Sequence, residues 1–254
     1  MTVFDKYARY YDLLYKDKNY TQEAEYIHSI LQELSLSGRD LLELGCGTAK
    51  HAVRLSKLGY RVHGVDLSAA MIEQAKQHII QQTASHEVSV EQSDIRSFRT
   101  ERKFDAVLSL FHVVSYQNSY NDLEKVLETA YLHLEDDSYF IFDCWHGPAV
   151  LSDPPVVRVK HMQDEHARIT RIAEPKLLPS TNTVHVKYDV FIEDRSNGTI
   201  EKLDELHIMR YFFEEELSWI AQKKGFEILS CVEFETGKMP GTDTWNVIYV
   251  LKKR

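Results

Sequence analysis

Residues 41–49 read Leu41-Leu42-Glu43-Leu44-Gly45-Cys46-Gly47-Thr48-Ala49. A short apolar run enters a glycine pair, and residues 50–57 then carry helical spacing that Gly59 stops. Glycine lets the main chain turn tightly there and lets a ligand approach the backbone at the start of a helix. The same rhythm continues outward. Residues 61–65 read as a strand ending in Asp66, and Ser68 caps a helix with Met71, Ile72, Ala75, Ile79 and Ile80 on its apolar side. Residues 88–92 form a third strand ending near Asp94. Residues 104–110 form a fourth, nearly all apolar, as a strand covered on both faces should be. Leu123, Val126, Leu127, Ala130 and Leu134 mark a further helix, and residues 139–143 a fifth strand. Upstream, Phe4, Tyr7, Ala8, Tyr11, Leu14 and Tyr15, and then Ala24, Ile27, Ile30, Leu31 and Leu34 behind a cap at Thr21, recur at helical spacing. Strand–helix alternation of this kind predicts a parallel sheet with right-handed crossovers.

After the fifth strand the pattern changes. Pro148, Pro154 and Pro155 punctuate the chain, and residues 156–159, 167–173, 184–192 and 200–212 read as strands. Val184, Val186, Tyr188, Val190 and Ile192 alternate with the intervening residues at period two, and Asn197-Gly198 is a hairpin turn. Leu217, Ile220 and Ala221 then mark a helix ending at Gly225, and residues 226–234 and 246–251 close the sheet. The expected fold class is α/β: a Rossmann-like, doubly wound, mostly parallel seven-stranded sheet with an antiparallel β lobe inserted after strand five. Residues 1–153 and 213–254 would form the core and residues 154–212 the lobe.

Length and composition bound the function. The chain has 254 residues, 43% hydrophobic and 27% charged, a globular mix large enough for one domain with an insert. Thirty basic against 39 acidic residues give a formal charge of -9 and no dense basic patch, which disfavours nucleic acid as a partner. No apolar run is long enough to span a bilayer, no secretory signal is evident, and three widely spaced cysteines suggest neither a disulfide framework nor a zinc site. A cytoplasmic enzyme with a small-molecule partner, no membrane and no metal is expected.

The ligand follows from charge. A dinucleotide turn places backbone amides against a pyrophosphate and carries a third glycine, where this chain has Lys50. Glu43, two residues before the first glycine, would repel a pyrophosphate but attract a ligand bearing a sulfonium and an ammonium group. The expected cofactor is S-adenosyl-L-methionine, seated on Gly45 and Gly47. Asp66 would hold the ribose hydroxyls, Leu67 and Met71 the adenine face, Asp94 the exocyclic amine, and Ile95 and Leu110 the remaining apolar wall. A nicotinamide-dependent oxidoreductase and a non-catalytic cofactor-binding subunit are the alternatives from other classes.

These motifs resemble the class I S-adenosylmethionine-dependent methyltransferases over about residues 38–145. The segment Tyr7-Ala8-Arg9-Tyr10-Tyr11-Asp12-Leu13-Leu14-Tyr15, followed by Lys18-Asn19-Tyr20, resembles the N-terminus of nucleotide-sugar N-methyltransferases, which also carry an antiparallel lobe after the fifth strand. That resemblance implies N-methylation of an amino-sugar nucleotide, with small-molecule O-methylation or methylation of an amine or amino acid as alternatives. It places Tyr11 and Tyr20 at the methionine end of the cofactor or at the substrate. A histidine follows the fourth strand in that family. Here Tyr116 aligns with it while His112 comes earlier, so both are candidate catalytic groups. Trp145 and His146 after the fifth strand are candidate substrate residues. Of Arg158, Arg171 and Arg210 on the lobe, Arg171 is the one expected to grip an anionic part of the substrate. A tyrosine-rich N-terminus also suggests a homodimer. Asp153-Pro154-Pro155-Val156 follows the fifth strand and lacks a terminal aromatic, so it is not the DNA amino-methyltransferase motif.

Overall fold

The computed structural model describes residues 10–11, 13–84 and 86–254. Helix α1 (Tyr20–Glu33) is capped by Asn19, whose side chain accepts from the Gln22 N–H. The cap falls at Asn19, not Thr21, because the asparagine side chain already meets an orphan amide of the first turn. Then follow β1 (Asp40–Leu44), α2 (Lys50–Lys57), β2 (Arg61–Asp66), α3 (Ala69–Gln81), β3 (Val88–Gln92), β4 (Phe104–Ser109), α4 (Tyr120–His133) and β5 (Leu134–His146). The Ser68 hydroxyl caps α3 by accepting from the Met71 N–H. These five strands pair in parallel in the order β3-β2-β1-β4-β5.

Apolar residues occupy both strand faces, so helices cover both sides. Leu42, Val107 and Phe142 pack against Leu123, Leu127 and Ile220 on one face. Their strand neighbours Leu41, Ala106 and Ile141 pack against Ile27, Val53 and Ile79 on the other. Consecutive strand residues thus feed opposite cores.

The chain then leaves the core through α5 (Gly147–Ser152), a short helix where the sequence suggested only a break. Pro148 sits in its first turn, where a missing N–H costs no hydrogen bond. The strands β6 (Arg158–Gln163), β7 (Ala167–Leu178), β8 (Thr183–Asp194) and β9 (Ile200–Phe212) form an antiparallel meander. Pairing begins at Arg158, two residues later than the expected strand at Val156. Strand β9 returns beside β5 in parallel, Trp145 opposite Tyr211 and His146 opposite Phe212, so the lobe continues the main sheet. Helix α6 (Glu214–Lys223), β10 (Phe226–Glu233) and β11 (Asn246–Lys253) complete the core, with β11 antiparallel between β5 and β10. The fold is of the expected Rossmann-like α/β class, but the sheet runs to eleven strands and not seven, because β9 pairs beside β5 and joins the antiparallel strands to it.

A helical turn carrying Tyr10 and Leu14 packs Leu14 among Met71 of α3 and Met162, Ile169, Val190 and Leu203 of the lobe. It joins core and lobe over the strand ends. Phe4, Tyr7, Ala8, Arg9 and Asp12 of the expected N-terminal segment lie outside the described residues. No helix among the described residues is long and apolar enough to cross a membrane.

Candidate active site

The glycine turn folds back on β2. Gly45 N–H and Cys46 N–H donate to the Val65 carbonyl at 2.8 and 3.0 Å. Gly47 N–H donates to Asp66 Oδ2 at 2.9 Å, and Ser68 N–H to Asp66 Oδ1 at 2.9 Å. All three of these amides are taken up within the protein, so none of them is left to donate to a pyrophosphate. At Gly45 φ is +82° and an added Cβ would lie 2.5 Å from Val113, so only glycine fits.

A cavity of about 330 Å³ opens over this turn at the carboxyl ends of the strands. Its walls include Tyr11, Tyr20, Gly45, Gly47, Asp66, Leu67, Met71, Asp94, Ile95, Leu110, His112, Tyr116 and Trp145, which are most of the residues the sequence singled out. A broader surface groove of about 530 Å³ lies between α1, α2 and α3, lined by residues such as Thr21, Arg54 and Gln77. Its lining comes from helices and their ends and from none of the strands, whereas open α/β sheets bind ligands at the strand ends, so the smaller cavity is the one that carries the chemistry.

Glu43 is not a wall residue. It is 1% exposed, below the turn, and its Oε2 has no hydrogen-bond partner among the described residues. Burial, with Asp66 nearby, pushes its carboxyl up to about 8. His51 Nδ1 lies 3.7 Å from Glu43, while His51 Nε2 lies 2.7 Å from Glu23, which also pairs with Lys18. Tyr20 covers the His51 ring, centroids 5.1 Å apart, and the Lys18 ammonium lies 4.2 Å from the Phe111 ring centroid. A buried carboxylate oxygen with no hydrogen-bond partner among the described residues, below a cavity lined by Tyr11 and Tyr20, fits the ammonium end of S-adenosylmethionine.

On the opposite side, Leu67, Met71 and Ile95 supply apolar wall for an adenine. Both Asp94 oxygens are engaged by Arg96, with Nη2 at 2.6 Å from Oδ2 and Nε at 2.9 Å from Oδ1, and Arg96 itself lines the cavity. This bidentate pair holds the Asp94 carboxyl below its ordinary range despite partial burial.

Beyond β4 the backbone is strained. Phe111 and His112 adopt φ +67° and +63°, a left-handed conformation that costs a side chain of order 1–3 kcal/mol. Asp143, at the heart of β5, accepts the His112 N–H at 3.1 Å, and its Oδ2 lies 2.8 Å from His112 Nδ1. Burial alone would raise the Asp143 carboxyl, but His112 and Asn246 outweigh it and hold it low. The strain turns His112 into the cavity. Tyr116 follows on a 3-10 turn (Val114–Tyr116), and its hydroxyl meets His207 Nδ1 at 2.8 Å.

The structure places the substrate-side residues apart. His146 does not line the cavity. Successive strand residues point to opposite faces, so Trp145 faces in and His146 faces out, its Nδ1 3.1 Å from the Thr244 carbonyl. Arg171 stands behind the wall, its guanidinium 4.5 Å from the centroid of the Tyr188 ring that does line it. Arg210 is buried against Glu216 at 3.0 Å, away from the cavity.

The sequence reading missed the lobe's contribution. Tyr188, His207 and Met209 form the far wall. Leu203, Glu205, His207 and Met209 alternate as the buried face of β9. A glutamate and a histidine on an otherwise apolar face were the available signal. His207 Nε2 lies 3.3 Å from Glu205 Oε2, which also accepts the Tyr10 hydroxyl at 2.5 Å.

Comparison with known proteins agrees with this geometry. Residues 41–137 match the family described as methyltransferase domain. A Geobacillus sp. (strain WCH70) methyltransferase, named without an acceptor, is 26% identical over 99% of this chain and 100% of its own. The Streptomyces venezuelae dTDP-3-amino-3,4,6-trideoxy-alpha-D-glucopyranose N,N-dimethyltransferase is 24% identical over 83% of this chain and 85% of its own. The fold of a Clostridium acetobutylicum ATCC 824 S-adenosylmethionine-dependent methyltransferase superposes with TM-score 0.83 at 23% identity, covering 99% of each chain. With its glycine-turn amides taken up within the protein and a buried acid beneath them, the chain carries a methyltransferase domain over residues 41–137 and is an S-adenosylmethionine-dependent methyltransferase.

Proposed function

We propose that the protein N-methylates an amino sugar carried on a nucleotide. The observation that carries this reading is the far wall of the cavity. Tyr116, Tyr188, Trp145 and His207 surround the space opposite the glycine turn, with Glu205 buried behind them. Aromatic faces backed by a carboxylate suit an ammonium group. The likeness to an amino-sugar N,N-dimethyltransferase over 83% of the chain supports the same acceptor class.

The bound cofactor supplies the electrophilic methyl group, so the protein's work is alignment. In this reading Glu43 anchors the ammonium end, Asp66 the ribose, and Leu67, Met71, Asp94, Ile95 and Leu110 the adenine. Tyr11 and Tyr20 close the methionine end, while His112, Tyr116 and Trp145 orient the acceptor nitrogen. Orientation of two bound reactants can supply about 7–11 kcal/mol of the barrier. The net charge of -9 disfavours nucleic acid as a partner, and a cytoplasmic homodimer acting on a small molecule completes the proposal.

Turnover tests it. The purified protein with S-adenosylmethionine should add one or more methyl groups to a dTDP-amino sugar, read by mass spectrometry. Methylation only of hydroxylated sugars or free amino acids would replace the amino-sugar reading with one of those classes.

A further inference from the structure

We infer that Tyr116, His207 and Glu205 form a proton relay that strips the acceptor ammonium before methylation. The inference rests on the amine-acceptor reading above. Three observations carry it. Tyr116 and His207 both line the cavity, and their side chains meet at 2.8 Å. His207 reaches Glu205 through its other ring nitrogen at 3.3 Å, which assigns the proton of neutral His207 to Nε2 and leaves Nδ1 to accept from Tyr116. His207 and Glu205 are 2% and 6% exposed, on a strand face whose other members are Leu203 and Met209. A buried acid–imidazole pair on such a face costs stability unless something uses it.

Tyr116 is not itself the base. Burial, with Tyr188, Tyr15 and Glu205 close by, pushes its hydroxyl well above the ordinary range, so it stays protonated. It relays instead. One ammonium N–H proton passes to Tyr116 Oη as the Tyr116 hydroxyl proton passes to His207 Nδ1. The amine is left neutral with a free lone pair, and His207 becomes an imidazolium beside the Glu205 carboxylate. After release of the product, the proton returns to solvent and the relay resets. The charged and titratable groups around His207 are Tyr116 from the 3-10 turn, Glu205 on its own strand, Tyr188 on β8 with ring centroids 4.9 Å away, Tyr10 through Glu205, and Arg171 on β7 behind Tyr188.

The test pairs kinetics with a readout that needs no turnover. His207→Asn keeps an oxygen acceptor for the Tyr116 hydroxyl but takes no proton. It should lower kcat about 10²- to 10⁴-fold, the range of a lost general base. S-adenosylhomocysteine affinity and thermal stability serve as controls for folding. The acid limb of the wild-type kcat/KM profile should vanish in His207→Asn. Tyr116→Phe should be comparably slow, and the double variant no slower than the worse single one, because the groups act as a unit. Nitrogen-15 NMR of the intact protein with S-adenosylhomocysteine should show His207 as the Nε2–H tautomer, with an Nδ1 resonance that moves in Tyr116→Phe as the donor to that nitrogen is lost. An Nδ1–H tautomer, or kcat within threefold of wild type in His207→Asn, overturns the relay. Failure of every amino-sugar nucleotide as acceptor sinks the substrate reading alone, and the relay is then judged on the tautomer and its coupling to Tyr116.

Discussion

At the residue scale, one carboxylate sets the cofactor turn. Asp66 accepts both the Gly47 and the Ser68 amides, so it fixes the turn that opens α2 and the cap that opens α3. Asp66 also lines the cavity. Hydrogen bonds to a charged group are worth about 1.5–3 kcal/mol, so Asp66→Asn should weaken S-adenosylhomocysteine binding about 10- to 150-fold by calorimetry. An affinity within twofold of wild type would remove Asp66 from the site. Glu43 makes a different prediction. Its folded carboxyl titrates at about 8 against an unfolded value of 4.5. Between those values the folded chain holds a proton that the unfolded chain has lost. The stability Glu43 contributes is therefore full below about pH 4.5 and is lost as pH rises toward 8. A ligand ammonium beside it favours the ionised form, so cofactor binding at pH 7 should release a proton. Calorimetry in buffers of different ionisation enthalpy would detect it, and Glu43→Gln should abolish it. Equal release from the variant would remove Glu43 as its source.

At the element scale, what the sequence revealed depended on whether function lay in local pattern or in long-range pairing. The glycine turn, Asp66 and Met71 follow from one strand–turn–helix unit and were legible. The lobe's strands were legible from period two, but which of their faces met the cavity depended on β9 pairing beside β5, at Trp145 and Tyr211. Without that pairing His207 was one of twelve histidines, and Arg171 looked as accessible as any strand arginine. His146 was singled out for its proximity to the fifth strand's end without weighing the strand's alternation, which turns it away from the cavity lined by Trp145. The turn bearing Leu14 shows the same dependence. Leu14 is 1% exposed among side chains of α3 and the lobe, contacts that no local pattern announces. Leu14→Ala should cost about 2–5 kcal/mol and lower Tm by several degrees in a chain of this size. A shift under about 2 °C would show that the turn does not brace the lobe.

At the scale of the whole molecule, the cavity joins three parts that are distant in sequence: the tyrosines of the N-terminal turn, the strand ends of the core, and β8 and β9 of the lobe. A ligand in it is therefore a cross-link. Binding to the folded state alone stabilises by about 2.7 kcal/mol at a hundredfold excess over Kd. How that stabilisation spreads is the informative part. If the lobe were an appendage, S-adenosylhomocysteine would slow amide exchange only around residues 45–50, 66–71 and 94–96. Because Tyr15 packs on Phe111 while Tyr10 bonds Glu205, ordering the turn should also protect β9 near Glu205 and His207. We expect hydrogen exchange with bound S-adenosylhomocysteine to fall in both regions together, and Leu14→Ala to uncouple them, keeping protection at the glycine turn and losing it on β9. Protection confined to the core in the wild-type protein would mean that the lobe engages only when an acceptor arrives, and that the far wall answers to the acceptor and not to the cofactor.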